Sequence, residues 1–216
     1  MRKLAFMESI TKDVLAWWQD TFSDADREWM IATYSPLSME IGDVSASAVE
    51  RQPLVQLLTH LESTTAARHL SLLAPWFSKP GYQHCAIAFA RKGLELLHND
   101  MPVLDQHFAW MNQCISLYRW RDTEVGALEG AIAACEACIA IQEQAAEKAK
   151  KFFGFIPSHH CFRQLRIIEE KRGNFERALA LCEEAKAGGW ADDWDRDIAR
   201  LRKKLQRGTR GANLSL

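Results

Sequence analysis

The stretch that decides the fold is PSHHCFRQLRIIEEKRGNFERALALCEEAKAGG, from Pro157 to Gly189. Pro157 is typical of the position just before a helix, where its missing N–H has no intrahelical partner to lose. Either Ser158 or His159 then suits the start of the first turn. We expect the helix to reach about residue 172, because apolar residues recur every three positions on one face, at Phe162, Leu165 and Ile168.

A second helix is predicted directly after the first. Gly173-Asn174 ends the first helix, because glycine adopts the left-handed conformation without a Cβ clash and asparagine tolerates turns. From Phe175 the helical pattern resumes, and Gly188-Gly189 ends it in the same way. The stretch therefore predicts two antiparallel helices joined by a tight turn.

An earlier copy of this hairpin lies 47 residues upstream. Six identical residues fall within eleven positions when the chain is shifted by that amount, against roughly one expected from average composition. They pair Gly126 with Gly173, Glu129 with Glu176, Ala131 with Ala178, Ala133 with Ala180, and Cys135-Glu136 with Cys182-Glu183. Further upstream the same shift pairs Cys114 with Cys161 and Arg119 with Arg166. We interpret the two segments as a duplication.

Leu165, Gly173-Asn174-Phe175, Ala178 and Ala185 at these separations resemble the tetratricopeptide repeat. Over about residues 105–206 the chain is similar to uncharacterised bacterial proteins of this kind. The resemblance implies an all-α fold, a right-handed solenoid of antiparallel helical hairpins with a helical N-terminal half and a C-terminal capping helix. Arg166 and Trp190 depart from the repeat, which usually has a small residue and a proline at these places.

We divide the chain into a helical N-terminal region (1–101), the repeats with their capping helix (102–206) and a tail predicted to be disordered (207–216). The N-terminal region is predicted to hold helices at about 7–20, 25–33, 49–62, 65–77 and 82–98, with a loop at 35–47. Segment 124–152 is predicted to be one long alanine-rich helix.

Composition excludes several classes of function. A formal net charge of −1 gives no electrostatic reason to expect nucleic acid or an anionic membrane as the partner of the whole chain. No apolar run approaches the ~20 residues that span a bilayer, and Glu8 interrupts any signal-peptide core, so we expect a cytoplasmic protein. No catalytic motif is present, and neither enzymatic activity nor a cofactor is predicted.

A peptide groove is the favoured hypothesis, with another protein or peptide as the partner. The resemblance implies that first helices of successive hairpins line a concave surface. By position this surface comprises Gln113, Ser116, Trp120 and Thr123 in the earlier copy, and His160, Arg163, Ile167 and Glu170 in the later one. Arg119 and Arg166 can add paired hydrogen bonds to a carboxylate. The alternative is that these arginines form structural ion pairs within the chain.

A zinc site is a second hypothesis. Cys135 and Cys138 share a helix face, while His159, His160 and Cys161 open the next helix, and these residue types are zinc ligands. Helix packing is the competing interpretation and the one we favour, because Cys135 has an equivalent in Cys182.

The basic C-terminal helix supports a third hypothesis, nucleic-acid binding, which we disfavour because the helix dipole explains why bases follow the acids in this helix. Its candidate contacts are Arg200, Arg202, Lys203, Lys204, Arg207 and Arg210. Homo-oligomerisation through the tryptophan-rich N-terminal half is also left open. Most of the eight tryptophans are predicted to be core residues, with Trp120 and Trp190 as the expected exceptions.

Overall fold

The computed structural model describes residues 2–34, 53–61 and 66–213, and the side chains of 12–34, 53–61 and 66–207. Within these ranges the chain is all-helical and has no strand. Its helices are α1 (Arg2–Thr21), α2 (Asp24–Thr33), α3 (Pro53–Thr59), α4 (Ala66–Trp76), α5 (Gln83–Glu95), α6 (Val103–Arg119), α7 (Ala127–Ala140), α8 (Gln142–Phe153), α9 (His160–Lys171), α10 (Phe175–Ala187) and α11 (Trp194–Asn213). The predicted loop at 35–47 lies outside the described residues.

Local sequence signals account for several helix ends. Ser23 caps α2 with a capping box: its side chain accepts from the Asp26 backbone, and the Asp26 side chain accepts from the Ser23 backbone. His159 is the N-cap of α9, one of the two residues expected there. Gly126 and Gly173, equivalent in the two copies, both have positive φ, at 75° and 81°. The duplicated glycine therefore marks a duplicated turn geometry.

Helices that follow one another along the chain pack together. Extensive contacts join α4 to α5, α6 to α7, and α9 to α10, while α6 also contacts α4 and α5, and α7 contacts α9. Helix α11 packs on α10. Gly93 allows α4 and α5 to approach closely, because a Cβ there would lie 2.3 Å from Ser71 Oγ and 3.0 Å from the Ala67 carbonyl oxygen.

The described residues form two large apolar cores, with a smaller cluster of Ile87, Leu117, Ala127 and Ala131 besides them. The N-terminal core, on α1 to α5, is rich in aromatic residues: Phe77 and Phe89 are fully buried, and Trp17, Trp18 and Trp29 pack into the same cluster. The C-terminal core, on α6 to α11, is built instead on small residues, above all cysteine and alanine. Small side chains let the helices of the C-terminal half approach closely, and this brings their polar and sulfur groups together.

One predicted helix is wrong. The segment 124–152 is two helices and not one, because the backbone leaves the helical conformation at Ile141 (φ −103°, ψ 9°). The break allows α8 to pack against α6 through its alanine stripe, which comprises Ala145, Ala146 and Ala149. Helix α11 is assigned to Asn213, inside the segment 207–216 for which disorder is predicted, and residues 214–216 lie outside the described part.

Candidate functional site

The most concentrated chemistry in the described part is a buried cluster of cysteine and histidine side chains where α6, α7 and the start of α9 meet. Helices α6 and α7 contribute two members each, and the first turn of α9 contributes two more. All six residues are buried, and all four cysteines are free thiols: His107, Cys114, Cys135, Cys138, His159 and Cys161. Six polarisable groups in one core region require partners, because burying an unpaired polar group is unfavourable.

His107, Cys138 and His159 form one half of the cluster, with one ligand atom of each lying within 4.8 Å of the others. Cys138 Sγ lies 3.4 Å from His107 Nδ1 and 3.9 Å from His159 Nε2. The thiol form of Cys138 also reaches the His107 carbonyl oxygen at 3.5 Å. Cys138 is therefore the centre of this half, with an imidazole on each side.

Cys114, Cys135 and Cys161 form the other half. Cys114 Sγ and Cys135 Sγ are 3.2 Å apart, and the three sulfur atoms lie within 4.8 Å of one another. Cys161 connects the halves, because its thiol interacts with Cys114 and Cys135 and also with Cys138. The six residues thus form one continuous network.

The network shifts the pKa values of the Cys138 and Cys161 thiols in opposite directions. Burial alone would raise the pKa of the Cys138 thiol, but hydrogen bonds from Cys161, His107 and His159 lower that pKa well below its usual value. For Cys161, the hydrogen bond with Cys114 lowers the pKa, but hydrogen bonds with Cys135 and Cys138 together with burial outweigh it and raise the pKa well above the usual value. Cys138 is therefore the first sulfur of the pair to lose its proton.

The hydrogen bonds assign a tautomer to His159. Its Nδ1 accepts a 3.4 Å hydrogen bond from the Phe162 backbone N–H, so in the neutral ring Nε2 carries the proton and faces Cys138. A metal ion at Nε2 would move the proton to Nδ1 and remove this helix cap, at a cost of about 1 kcal/mol. This cost is small beside the roughly 10–16 kcal/mol with which structural zinc sites bind their ion.

Trp190 forms a wall of the cluster and is buried, although the sequence suggested an exposed position. Its ring stacks on His107, with centroids 5.6 Å apart, and meets His159 edge-on at 4.5 Å. Its indole N–H donates to Gln142 Oε1 at 2.9 Å. Gly188 leaves room for this pair, because a Cβ there would lie 2.7 Å from Gln142 Oε1. The glycine pair therefore also positions an aromatic side chain against the cluster.

The structure brings together four of the five sequence-predicted metal candidates: Cys135, Cys138, His159 and Cys161. His160 is not in either half; it is half-buried on α9, and its burial, followed by the Arg163 charge, lowers its pKa. Sequence reasoning missed His107 and did not treat Cys114 as a ligand. Their spacing of seven residues, two helical turns, was the available signal that both lie on one face of α6.

Three of the five groove candidates of the earlier copy are wholly or partly buried. Gln113 and Ser116 are buried between helices, and Trp120 is half-buried with its indole N–H donating to Ser78 Oγ at 2.9 Å. Arg119 and Thr123 are exposed, and the Arg119 guanidinium lies 5.8 Å from the centre of the Trp120 ring. Trp120, predicted to lie outside the core, is therefore partly a packing residue.

In the later copy the charged groove candidates form ion pairs within the chain. Arg163 donates to Asp192 at 2.7 and 2.9 Å, and Arg166 lies 3.1 Å from Asp197 and 3.5 Å from Glu170. Ile167 is half-buried beside them. The alternative interpretation of structural pairing describes Arg163 and Arg166 as they are observed.

Glu170 is the centre of a network between α9 and α11. It accepts hydrogen bonds from the Arg200 guanidinium, including one of 2.8 Å, and from Lys204 at 2.8 Å. The hydrogen bond from Arg200 is the main reason that the pKa of Glu170 is lowered from 4.5 to about 2. Glu170 therefore links α9 to α11 through ion pairs.

Several basic side chains of α11 form ion pairs within the chain. Arg200 and Lys204 bind Glu170, and Arg202 donates to Glu183 at 2.7 Å. Lys203 and Arg207 are exposed, while the Arg210 side chain lies outside the described part. Three of the six basic residues proposed to bind phosphate are therefore already paired with carboxylates in the folded chain.

An exposed aromatic surface lies at the end of α8, and sequence reasoning did not identify it. Phe152, Phe153 and Phe155 are 76%, 41% and 61% exposed. Two pockets, of about 440 and 200 Å³, share Leu104 between them; Lys148, Lys151 and Phe152 line the larger, while Phe153 and Phe155 line the smaller beside Phe108 and Trp190. We call this the aromatic surface; it comprises Leu104, Phe108, Phe152, Phe153 and Phe155.

None of the described helices combines the length and the apolar composition that crossing a bilayer requires. No protein-family model matches the chain, and no curated protein or solved structure matches it either.

Proposed function

We propose that this chain is a helical-repeat scaffold that binds a segment of another protein, and that it does so on the aromatic surface. The proposal includes a solenoid of the tetratricopeptide type, formed by the hairpins α4/α5, α6/α7 and α9/α10 in succession. The packing of each hairpin on the next supports this arrangement. Six free thiols support a reducing compartment such as the cytoplasm as the site of action.

The observation that carries the proposal is the exposure of three phenylalanines within four residues. Isolated exposed apolar side chains are ordinary, but clustered aromatic side chains beside apolar pockets are typical of protein contacts. Phe152 is the most exposed of the three, at 76%. These three phenylalanines also lie in the segment between Ile141 and Pro157, where the earlier copy of the hairpin is longer than the later one.

Charge at the rim indicates the chemistry of the partner. Lys148 and Lys151 line the larger pocket, three residues apart on α8, and both are exposed. A partner segment with apolar side chains next to acidic ones would fill the pockets and pair with these lysines. We therefore commit to an acidic segment with apolar anchors as the ligand.

The test uses peptides selected from a displayed random library on the wild-type chain. We expect enrichment of sequences with aromatic or aliphatic residues beside Asp or Glu, and weaker binding by at least about tenfold to the double variant Phe152→Ser, Phe155→Ser. Val125→Ser is the matched control, because Val125 is a fully exposed apolar residue outside this surface. Lys148→Glu with Lys151→Glu should weaken acidic peptides selectively.

Three results would contradict the proposal. One is that no peptide is enriched on the folded wild-type chain. Another is that the phenylalanine variants bind selected peptides as well as Val125→Ser does. The third is a dimer that light scattering detects and that the phenylalanine changes abolish. The aromatic surface would then be an interface between copies of this chain.

A further inference from the structure

The buried cysteine and histidine cluster is not explained by the proposed scaffold function, since apolar side chains of similar size would pack the same helices. Three adjoining elements place side chains of only two chemical types there, thiol and imidazole. These are the preferred ligands of zinc, and no carboxylate belongs to either half.

The distances between ligand atoms in the first half match those of a tetrahedral zinc site. Zinc bonds of about 2.3 Å to sulfur and 2.0–2.1 Å to nitrogen, at a tetrahedral angle, separate the two ligand atoms by about 3.6 Å. The observed separations from Cys138 Sγ are 3.4 Å to His107 Nδ1 and 3.9 Å to His159 Nε2. An ion can therefore occupy the space between these three atoms with small side-chain adjustments.

Charge balance identifies the fourth ligand. Two thiolates and two neutral imidazoles give a zinc site with no net charge, which suits a fully buried position. Cys161 Sγ is grouped with Cys114 and Cys135 and not with the three atoms of the first half. Cys161 follows His159 by two residues at the start of α9, so its side chain can turn towards Cys138 and supply the second negative charge. On binding, Cys138 and Cys161 each release one proton to solvent. The set Cys114, Cys135 and Cys161 is a poorer choice, because three thiolates would leave a buried negative charge.

We propose that His107, Cys138, His159 and Cys161 form a closed structural site for one Zn²⁺ ion that fastens α6, α7 and α9 together. The smaller pocket of the aromatic surface offers a path to it, since His107 and Trp190 line that pocket. Another group, Asp26, His84 and Cys85, is less suited to zinc. Asp26 is already the capping-box partner of Ser23, and His84 is largely exposed.

The experiment measures metal on the purified full-length chain and then titrates the metal-free chain with Zn²⁺ and with Co²⁺ as the optical probe. We expect one ion per chain, cobalt bands of a tetrahedral site with thiolate ligands, and a melting temperature that falls when a chelator removes the metal. X-ray absorption at the zinc edge of the wild-type chain should give two sulfur and two nitrogen ligands. This last measurement requires no variant to fold.

Variants assign the ligands. Cys138→Ser and His107→Ala should lower zinc affinity by more than the about 10–100-fold that changes outside the coordination shell produce. Cys182→Ser is the matched control: Cys182 is buried and equivalent to Cys135 in the repeat, but belongs to neither half, and it should leave affinity unchanged. His84→Ala should also leave the stoichiometry at one.

Several results would overturn the site. A folded wild-type chain that neither retains zinc nor binds cobalt excludes it. A coordination shell of sulfur alone, or binding lost in Cys114→Ser but kept in Cys138→Ser, would place the ion among Cys114, Cys135 and Cys161. Loss of the ion in His84→Ala would place it at the exposed group near α2 instead.

Discussion

The earlier hairpin, α6/α7, and the later hairpin, α9/α10, carry identical residues at equivalent positions, but those residues do different things. Cys135 belongs to the sulfur network between α6, α7 and α9. Its equivalent, Cys182, lies near the charges of Arg166 and Asp197, and burial raises its pKa to about 11. The helix that packs on each hairpin explains the difference, because α9 covers α7 whereas α11 covers α10. Equivalent positions in a repeat therefore share geometry, while their chemistry depends on the neighbouring element.

The largest effect that separates the copies should come from Phe162. It is fully buried in the later hairpin, whereas its equivalent Ile115 is only half-buried. We expect Phe162→Ala to lower the free energy of unfolding by about 3–5 kcal/mol, because it leaves a cavity as well as losing apolar burial. Ile115→Ala should cost clearly less. Urea unfolding of both variants makes the comparison, and equal losses would mean that the two first helices are buried alike.

A smaller difference is expected at the equivalent arginines. Arg166 is 13% exposed and lies between Asp197 and Glu170, whereas Arg119 is exposed, with no ion pair recorded among the described side chains. Arg166→Ala should lower the free energy of unfolding by about 2–3 kcal/mol, because it leaves buried carboxylates with fewer partners. Arg119→Ala should change it by less than about 0.5 kcal/mol. Similar losses of unfolding free energy in the two variants would contradict the prediction that only the later copy depends on the ion pairs of its arginine.

Acid should weaken the later copy through Glu170, whose equivalent in the earlier copy is Thr123. Since the pKa of Glu170 is lowered from 4.5 to about 2 in the folded chain, its stabilisation is complete above about pH 4.5 and is lost as the pH falls towards 2. Allowing for partial solvent screening, we expect about 2 kcal/mol at neutral pH. The measurement is the difference in unfolding free energy between wild type and Glu170→Gln across this range. A difference that stays constant with pH would contradict the assignment.

The two turns should behave alike, which tests what the copies share. Gly126 and Gly173 both have positive φ, and a Cβ on either would meet no atom within 4 Å. Alanine at each place should therefore lower stability by about 1 kcal/mol, through backbone strain alone. Thermal unfolding of Gly126→Ala and Gly173→Ala checks this, and unequal losses would mean that the turns are not equivalent.

The hairpins and their ends were predictable because the signals are local. Apolar spacing on α9 and α10, the turn at Gly173 and the cap at His159 all act within a few residues. The break at Ile141 was not predictable in this way, since no glycine or proline accompanies it. It forms because contacts of α8 with α6, and of Gln142 with Trp190, outweigh the preference of an alanine-rich segment for one continuous helix.

The candidate sites show the same division. Four of the six cluster residues were recognised from their types and spacing, but His107 required knowledge of which helix faces α7 and α9. Position in the repeat predicts Arg163 as a groove residue and equivalence across the copies adds Arg166, but in the structure these two pair with acids 29 and 31 residues away along the chain. The aromatic surface was missed because an apolar run in sequence does not reveal whether a neighbouring helix covers it.

Helix periodicity and glycine turns depend on neighbouring residues alone, so the amino-acid sequence predicts the helical fold, the places of the hairpin turns and the identical residues that two hairpins share. Which equivalent residues meet sulfur, which meet charge and which aromatic side chains stay exposed could be seen only in the folded chain. Those outcomes depend on the packing of helices that are distant in sequence, and a one-residue rotation of a helix, about 100°, is enough to change them.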